Sequence, residues 1–159
     1  MRVALSLSGR RGYNAGREGL GEKLDLKIVY NHLKKHILSK YNTDIFIHAW
    51  DQNEHEYLKK TFKPITIKTE AQKYFGLDIN DLQKSKNDEF GLGAEFRSFS
   101  KMTSLMSSLD LIVDYEKKNN FKYDFIIWLR LDAVILKDLK LQNLNKIKIY
   151  VQPKVYNNH

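Results

Sequence analysis

The chain has 159 residues, enough for one domain with a hydrophobic core and little room for a second. Its 42% hydrophobic and 29% charged residues exclude a disordered or membrane-spanning chain, no apolar run nears the about 20 residues a transmembrane helix needs, and the start lacks a signal peptide's charged, apolar, cleavable order. The absence of cysteine excludes disulfides and thiolate sites and points to a reducing, cytoplasmic setting, while the net charge of +8 calls for an anionic partner: nucleotide, nucleic acid or acidic membrane surface.

Arg2 to Ser8 alternates Val3, Leu5 and Leu7 with Ala4, Ser6 and Ser8 and reads as a first strand that stops at Gly9. The loop that follows has glycine at 9, 12, 16, 19 and 21 and arginine at 10, 11 and 17. Such a backbone turns tightly and approaches a ligand closely, so its amides and guanidinium groups can cradle phosphate. It is neither a Walker A sequence nor a Gly-x-Gly-x-x-Gly fingerprint, and a surface loop made soluble by arginine is the other reading.

Leu24 to Tyr41 carries Leu24, Ile28, Leu33, Ile37 and Leu38 at near-helical spacing, with lysines on the other face. Asp44 to Trp50 is a second strand, and His48, Trp50 and Asp51 at its far end lie where the first strand's loop should also lie. His48 has a plainer reading as a half-buried histidine satisfied by backbone, and Trp50 as a cap on the core. A helix over about Asn53 to Phe62 leads through Pro64 to a third strand, Ile65 to Thr69, with Glu70 at its end. The order β-α-β-α-β implies right-handed crossovers and a mostly parallel, Rossmann-like α/β sheet with helices on both faces.

Tyr74 to Glu95 is irregular, with a short helix over Asp78 to Lys84 and a turn-rich Asp88 to Gly93 that reads as a surface loop or a flap. From Phe96 to Tyr115 the helical period returns, with Phe99, Met102, Leu105, Met106, Leu109, Ile112 and Val113 on one side. The opposite side keeps serines at 98, 100, 104, 107 and 108, small enough for close approach of a backbone or a ligand. Arg97 and Lys101 stand at the start of this helix, where free amides favour anions; capping and surface charge are the alternative.

Tyr123 to Leu136 is the most apolar run and reads as a strand buried on both faces. Burying Arg130 or Asp132 is costly unless the ion is paired, solvated or bound to a ligand, so the chain should leave the core near Leu129. Two apart on a strand, Arg130 and Asp132 leave on one face, and an open parallel sheet binds ligands at the carboxyl ends of its strands. These two are the first candidates for chemistry. Lys137 to Leu141 reads as a loop and Lys146 to Val151 as a final strand.

Four pieces together, Ser8-Gly-Arg-Arg-Gly-Tyr13, Asp44-Ile-Phe-Ile-His-Ala-Trp50, Phe96-Arg-Ser-Phe-Ser-Lys-Met102 and Tyr123-Asp-Phe-Ile-Ile-Trp-Leu-Arg-Leu-Asp-Ala-Val134, resemble nucleotide-sugar glycosyltransferases of the GT-A fold, particularly bacterial and viral enzymes that build surface glycans. The resemblance implies that Ser8, Gly9, Arg10 and Arg11, with Arg97 and Lys101 nearby, hold the nucleoside diphosphate. It places Asp132 at the last acidic position of an Asp-x-Asp motif that carries Mn²⁺ or Mg²⁺. Arg130 stands where that motif's first aspartate belongs, and a guanidinium meets a diphosphate bidentately, so it can take over part of the metal's role; Asp138 is the remaining candidate oxygen donor. Of the strand-end groups able to act as a base, His48, Asp51 and Glu70, His48 joins Arg130 and Asp132 in the expected catalytic set.

The activity implied is transfer of a sugar from a nucleoside diphosphate sugar to a glycan hydroxyl, in which the leaving diphosphate builds up charge that a fixed cation must meet. The expected partners are that donor, a glycan acceptor and a peripheral membrane contact, with no nucleic acid. The acceptor-binding half of such enzymes has no counterpart in the sequence. The chain therefore reads as a nucleotide-sugar-binding domain over 1–159 truncated before that half, as a minimal protein that needs a partner, or as a likeness of fold alone. A non-catalytic nucleotide-sugar binder is the competing function. A basic nucleic-acid-binding α/β domain ranks third, since most of the nine tyrosines and eight phenylalanines fall at core positions or beside strands.

Overall fold

The structure, a computed structural model, describes residues 1–14, 21–84 and 92–145. Six consecutive buried residues, Val3 to Ser8, make β1 (Arg2–Gly9) the middle of the molecule. β1 pairs in parallel with β2 (Asn42–Ala49) on one side and with β4 (Phe125–Arg130) on the other. β3 (Thr66–Thr69) extends the sheet beyond β2, so the order is β3-β2-β1-β4 with every pairing parallel. Helix α1 (Leu26–Leu33), continued by a π-helical turn over Lys34–Leu38, joins β1 to β2. Helix α2 (His55–Phe62) joins β2 to β3, and α3 (Ile79–Lys84) and α4 (Leu92–Asn119) lie between β3 and β4. This is the expected α/β architecture, compatible with a Rossmann-like arrangement. No described helix is long and apolar enough to cross a membrane.

The two-residue pleat sorts the sheet into two faces. Leu5, Leu7, Ile45 and Ile47 meet Leu26, Val29, Leu33, Leu58 and Phe62 from α1 and α2 in one core. Ala4 and Phe46 meet Ile112 and Leu109 of α4 in the other. Burying these side chains contributes about 1.5–3 kcal/mol each.

On α4 the side that lies closest to the sheet is the small, polar one: Ser104 and Ser108 are fully buried, while Met102 and Met106 are each 53% exposed. The reason lies beneath the helix: that face of the sheet is polar toward the strands' carboxyl ends, where Ser6 Oγ bonds Ser108 Oγ at 2.7 Å, His48 bonds Ser104, and Trp50 Nε1–H donates to the Ser100 carbonyl at 3.1 Å. Serines answer those groups and let the helix lie close. Apolar contact takes over only from Leu109 onward.

Two expectations are corrected, the first at the start of that helix. Its first turn is at Leu92, so by Arg97 and Lys101 the amides are already engaged in the helix, and these residues do not mark its N-terminus.

The second concerns β4. Among the described strands it is an edge, and Ile126 is 47% exposed; the strand buried on both faces is β1. Nor does the chain leave the core at Leu129. Leu131 is buried, and Ile135 and Leu139 pack against the cluster under α1 and α2. Arg17, the turn before Gly93 and the strand expected over 146–151 lie outside the described residues.

Candidate functional site

Because all the described strands run parallel, their carboxyl ends share one edge, and the strand order reverses between β1 and β4, the position at which such sheets take ligands. Backbone bonds tie the strand ends together there. Leu131 N–H donates to the Ser8 carbonyl at 2.9 Å and Trp50 N–H to the Gly9 carbonyl at 3.2 Å. Gly9, at φ +109°, adopts a backbone turn that a side chain would strain. The loop then doubles back: Tyr13 pairs with Lys23, and Leu24 N–H donates to the Gly12 carbonyl at 2.9 Å. At Gly12 a Cβ would stand 2.7 Å from Asp132 Oδ2. The glycine loop after β1 therefore lies directly on the Asp132 carboxylate.

Arg130 and Asp132 leave together, as their spacing predicts, and pair with each other. Arg130 Nε and Nη2 donate to Asp132 Oδ1 and Oδ2 at 2.9 and 2.8 Å, a bidentate fork with the carboxylate shielded and the guanidinium exposed. On the same face Trp128 Nε1–H donates to Ser8 Oγ at 2.6 Å, and Lys101 Nζ lies 5.3 Å from the Trp128 ring. The helix brings exposed Arg97 one turn before Lys101.

A cleft of about 450 Å³ opens over the ends of β1, β2 and β3, walled by Arg10, Tyr13, Lys23, Trp50, Gln72 and Tyr74 among others; Arg130 and Asp132 are not among its lining residues. Its floor carries a charge network. Arg11 Nη1 meets Glu54 Oε2 at 3.0 Å, its Nε donates to the Leu24 carbonyl, and its guanidinium lies 4.3 Å from the Tyr57 ring centre. Lys23 Nζ reaches Glu54 at 2.6 Å and Asp51 at 2.9 Å. Glu54 and then Asp51 hold the Lys23 ammonium above its ordinary pKa. Burial pushes the Asp51 carboxyl up, but Lys23, the Asn53 amide and Arg10 outweigh it and keep it below its usual value. Arg11 is thus a cation of the scaffold, while Arg10 stands at the cleft wall. Lys23 and Glu54 were missed in the sequence because they meet only when the loop closes back on α1 and the 3₁₀ turn Gln52–Glu54; the carboxylates at 51 and 54 opposite a lone lysine were the available signal.

His48 is enclosed between β2 and α4 rather than open at the strand edge. It is fully buried, with Nδ1 2.7 Å from Ser104 Oγ and Nε2 3.0 Å from Glu70 Oε1. Its partners are side chains, not the backbone expected. Burial lowers its pKa by more than Glu70 raises it, so the neutral ring donates from Nε2 to Glu70 and accepts from Ser104. Burial raises the Glu70 carboxyl, but His48, Lys68 and Lys73 together hold it below its usual value. This Ser–His–Glu chain resembles a nucleophile relay in order, yet Ser104 is fully buried and meets no substrate.

The residues do not fit a divalent metal. Asp132 is already neutralised by Arg130, and Asp138 is held by His36 Nδ1 at 2.7 Å and Lys40 Nζ at 2.9 Å. Among the described residues no three His, Asp or Glu side chains converge as a hard-cation site requires.

Comparison of the chain with known protein families, curated proteins and solved structures finds no match.

Proposed function

We propose that the chain binds a nucleoside diphosphate sugar at the carboxyl edge of its sheet and serves glycosyl transfer to a glycan hydroxyl. The observation that carries this reading is the cleft itself: aromatic Tyr13, Trp50 and Tyr74 and cationic Arg10 line one space over the strand ends, on the same carboxyl edge as the exposed Arg130 fork. A nucleotide needs that combination, an apolar wall for its base and fixed cations for its phosphates. Arg130 is the cation placed to meet charge on the leaving diphosphate, and Asp132 is a positioning residue that aims its fork. Arg10 and the Gly9 turn supply the neighbouring wall.

A second reading, a binder without catalysis, is favoured by the carboxylates. Asp51, Glu54, Glu70 and Asp132 each hold a cation or the buried histidine, and none stands ready as a general base.

Isothermal titration with UDP, GDP and CDP, with and without Mn²⁺, tests both. Binding of one of them that is unchanged by Mn²⁺ supports the arginine-based site. Affinity that appears only with Mn²⁺ would return Asp132 to a ligand's role, and no binding under any condition would sink the reading. Hydrolysis or transfer of the matching sugar nucleotide then separates enzyme from binder.

A further inference from the structure

The edge opposite the cleft, where every strand begins, is basic in a way the cleft does not require. The π-helical turn after α1, α2 and α4 all end there. Lys34 and Lys35 occupy the first end, Lys59 and Lys60 the second, Lys117 and Lys118 the third, all exposed. Exposed Lys63 follows α2 directly. Among the described residues none of these seven lysines meets a carboxylate, because the acids of this edge are taken: Asp44 by Arg2, Glu116 by Lys122 and Asp138 by Lys40. Two described acids lie outside these pairs: Asp124 before β4, whose Oδ2 accepts from the Arg2 backbone N–H at 2.7 Å, and Asp114, exposed one turn before Lys117 and Lys118. One cation at a helix end answers the macrodipole, but paired lysines at three ends, with Lys63 added, exceed that need.

Two apolar side chains stand on the same edge: Met1 is 50% and Ile65 46% exposed, at the starts of β1 and β3. An open recess of about 490 Å³ between Lys117, Asn120, Phe121 and Lys122 adds a notch beside them.

We propose that this amino edge docks on an anionic phospholipid leaflet, leaving the cleft open to solution on the far side. The chemistry favours a lipid surface over a nucleic acid. Among the described residues the side-chain cations of this edge that meet no carboxylate are lysines, point charges that suit a diffuse sheet of headgroups, whereas Arg2, the described arginine of this edge, is held by Asp44 and lies 3.7 Å from the centre of the Phe121 ring, so it offers no bidentate fork of the kind typical of nucleic-acid phosphates. Met1 and Ile65 can enter the headgroup boundary, and a duplex offers them nothing comparable.

Flotation of the full chain with vesicles tests this, using phosphatidylcholine alone and an equimolar mixture with phosphatidylserine. Binding is expected only to the mixed vesicles. Each lysine removed should weaken it about fivefold, so Lys59→Gln, Lys60→Gln, Lys117→Gln and Lys118→Gln together should cost a hundredfold or more, roughly. The same four positions changed to arginine should retain binding, as should Lys27→Gln, an exposed lysine at the start of α1 away from this edge. Equal binding to both vesicles, binding to neither, or an unaltered quadruple glutamine variant would overturn the proposal. So would displacement of bound protein by short duplex DNA at matched phosphate concentration, which would make the edge a nucleic-acid surface.

Discussion

Asp132 touches the guanidinium of Arg130 on one side and the space a Gly12 side chain would fill on the other. A carboxylate so held orients its neighbours rather than acting alone. Asp132→Ala and Arg130→Ala should each weaken nucleoside diphosphate binding at least tenfold, about 1.4 kcal/mol. If Asp132 works through Arg130, the double variant loses no more than the worse single one, a non-additivity that titration reads directly. Gly12→Ala should lower affinity as well, since its methyl must displace the carboxylate or the loop. His48 makes a different prediction. Unfolded, it titrates near 6.5, whereas burial lowers its pKa in the fold, so between the two values the unfolded chain binds the extra proton. Its contribution to stability is complete above about pH 6.5 and falls as the pH drops below it. Chemical denaturation across that range should show this slope in the wild type, and His48→Gln, which keeps an amide donor toward Glu70, should flatten it. A slope that survives the substitution would place the effect elsewhere.

At the scale of elements, α4 is the instructive case. Its helical period was plain in the sequence, and its length was underestimated at both ends, Phe96 to Tyr115 against Leu92–Asn119. Which side faces inward was not legible from the helix, because the sheet decides it: Ser6 and His48 present polar atoms to the helix, and buried polar atoms must be matched. Ser108→Leu should therefore destabilise the fold by about 1–3 kcal/mol through overpacking and a stranded Ser6 hydroxyl. Met106→Gln should change stability by less than about 0.5 kcal/mol. Thermal or denaturant unfolding of the two variants decides between this packing and the inverted one that apolar periodicity suggests. A large loss from Met106→Gln would favour the latter. β4 shows the same limit from the other side, since an apolar run looks alike at the centre and at the edge of a sheet. Only the pairing of β1 with both β2 and β4 gives β1 the doubly buried place.

For the whole molecule, charge is divided by role. At the carboxyl edge acids and bases interlock under the cleft, whereas at the amino edge lysines outnumber the acids near them. The interlocked carboxylates set the acid limit of the fold. Asp51 and Glu70 lie below their ordinary values despite burial, so their stabilisation is present above their unfolded pKa values and is lost as the pH falls through the folded ones. Unfolding midpoints should decline a second time below about pH 4, distinct from the His48 step. Glu54→Gln should lower the midpoint already at neutral pH, because it removes the carboxylate shared by Arg11 and Lys23. The sequence by itself determined the order of strands and helices, the parallel α/β class and the departure of Arg130 and Asp132 on one face, because hydrophobic period and residue spacing are local properties of the chain. Only the tertiary structure decided that these two ions pair, that His48 is enclosed, that Arg11 belongs to the scaffold and that serines line the inner face of α4. Each of those outcomes depends on which partner a polar group finds after long loops close, and no local pattern encodes the partner.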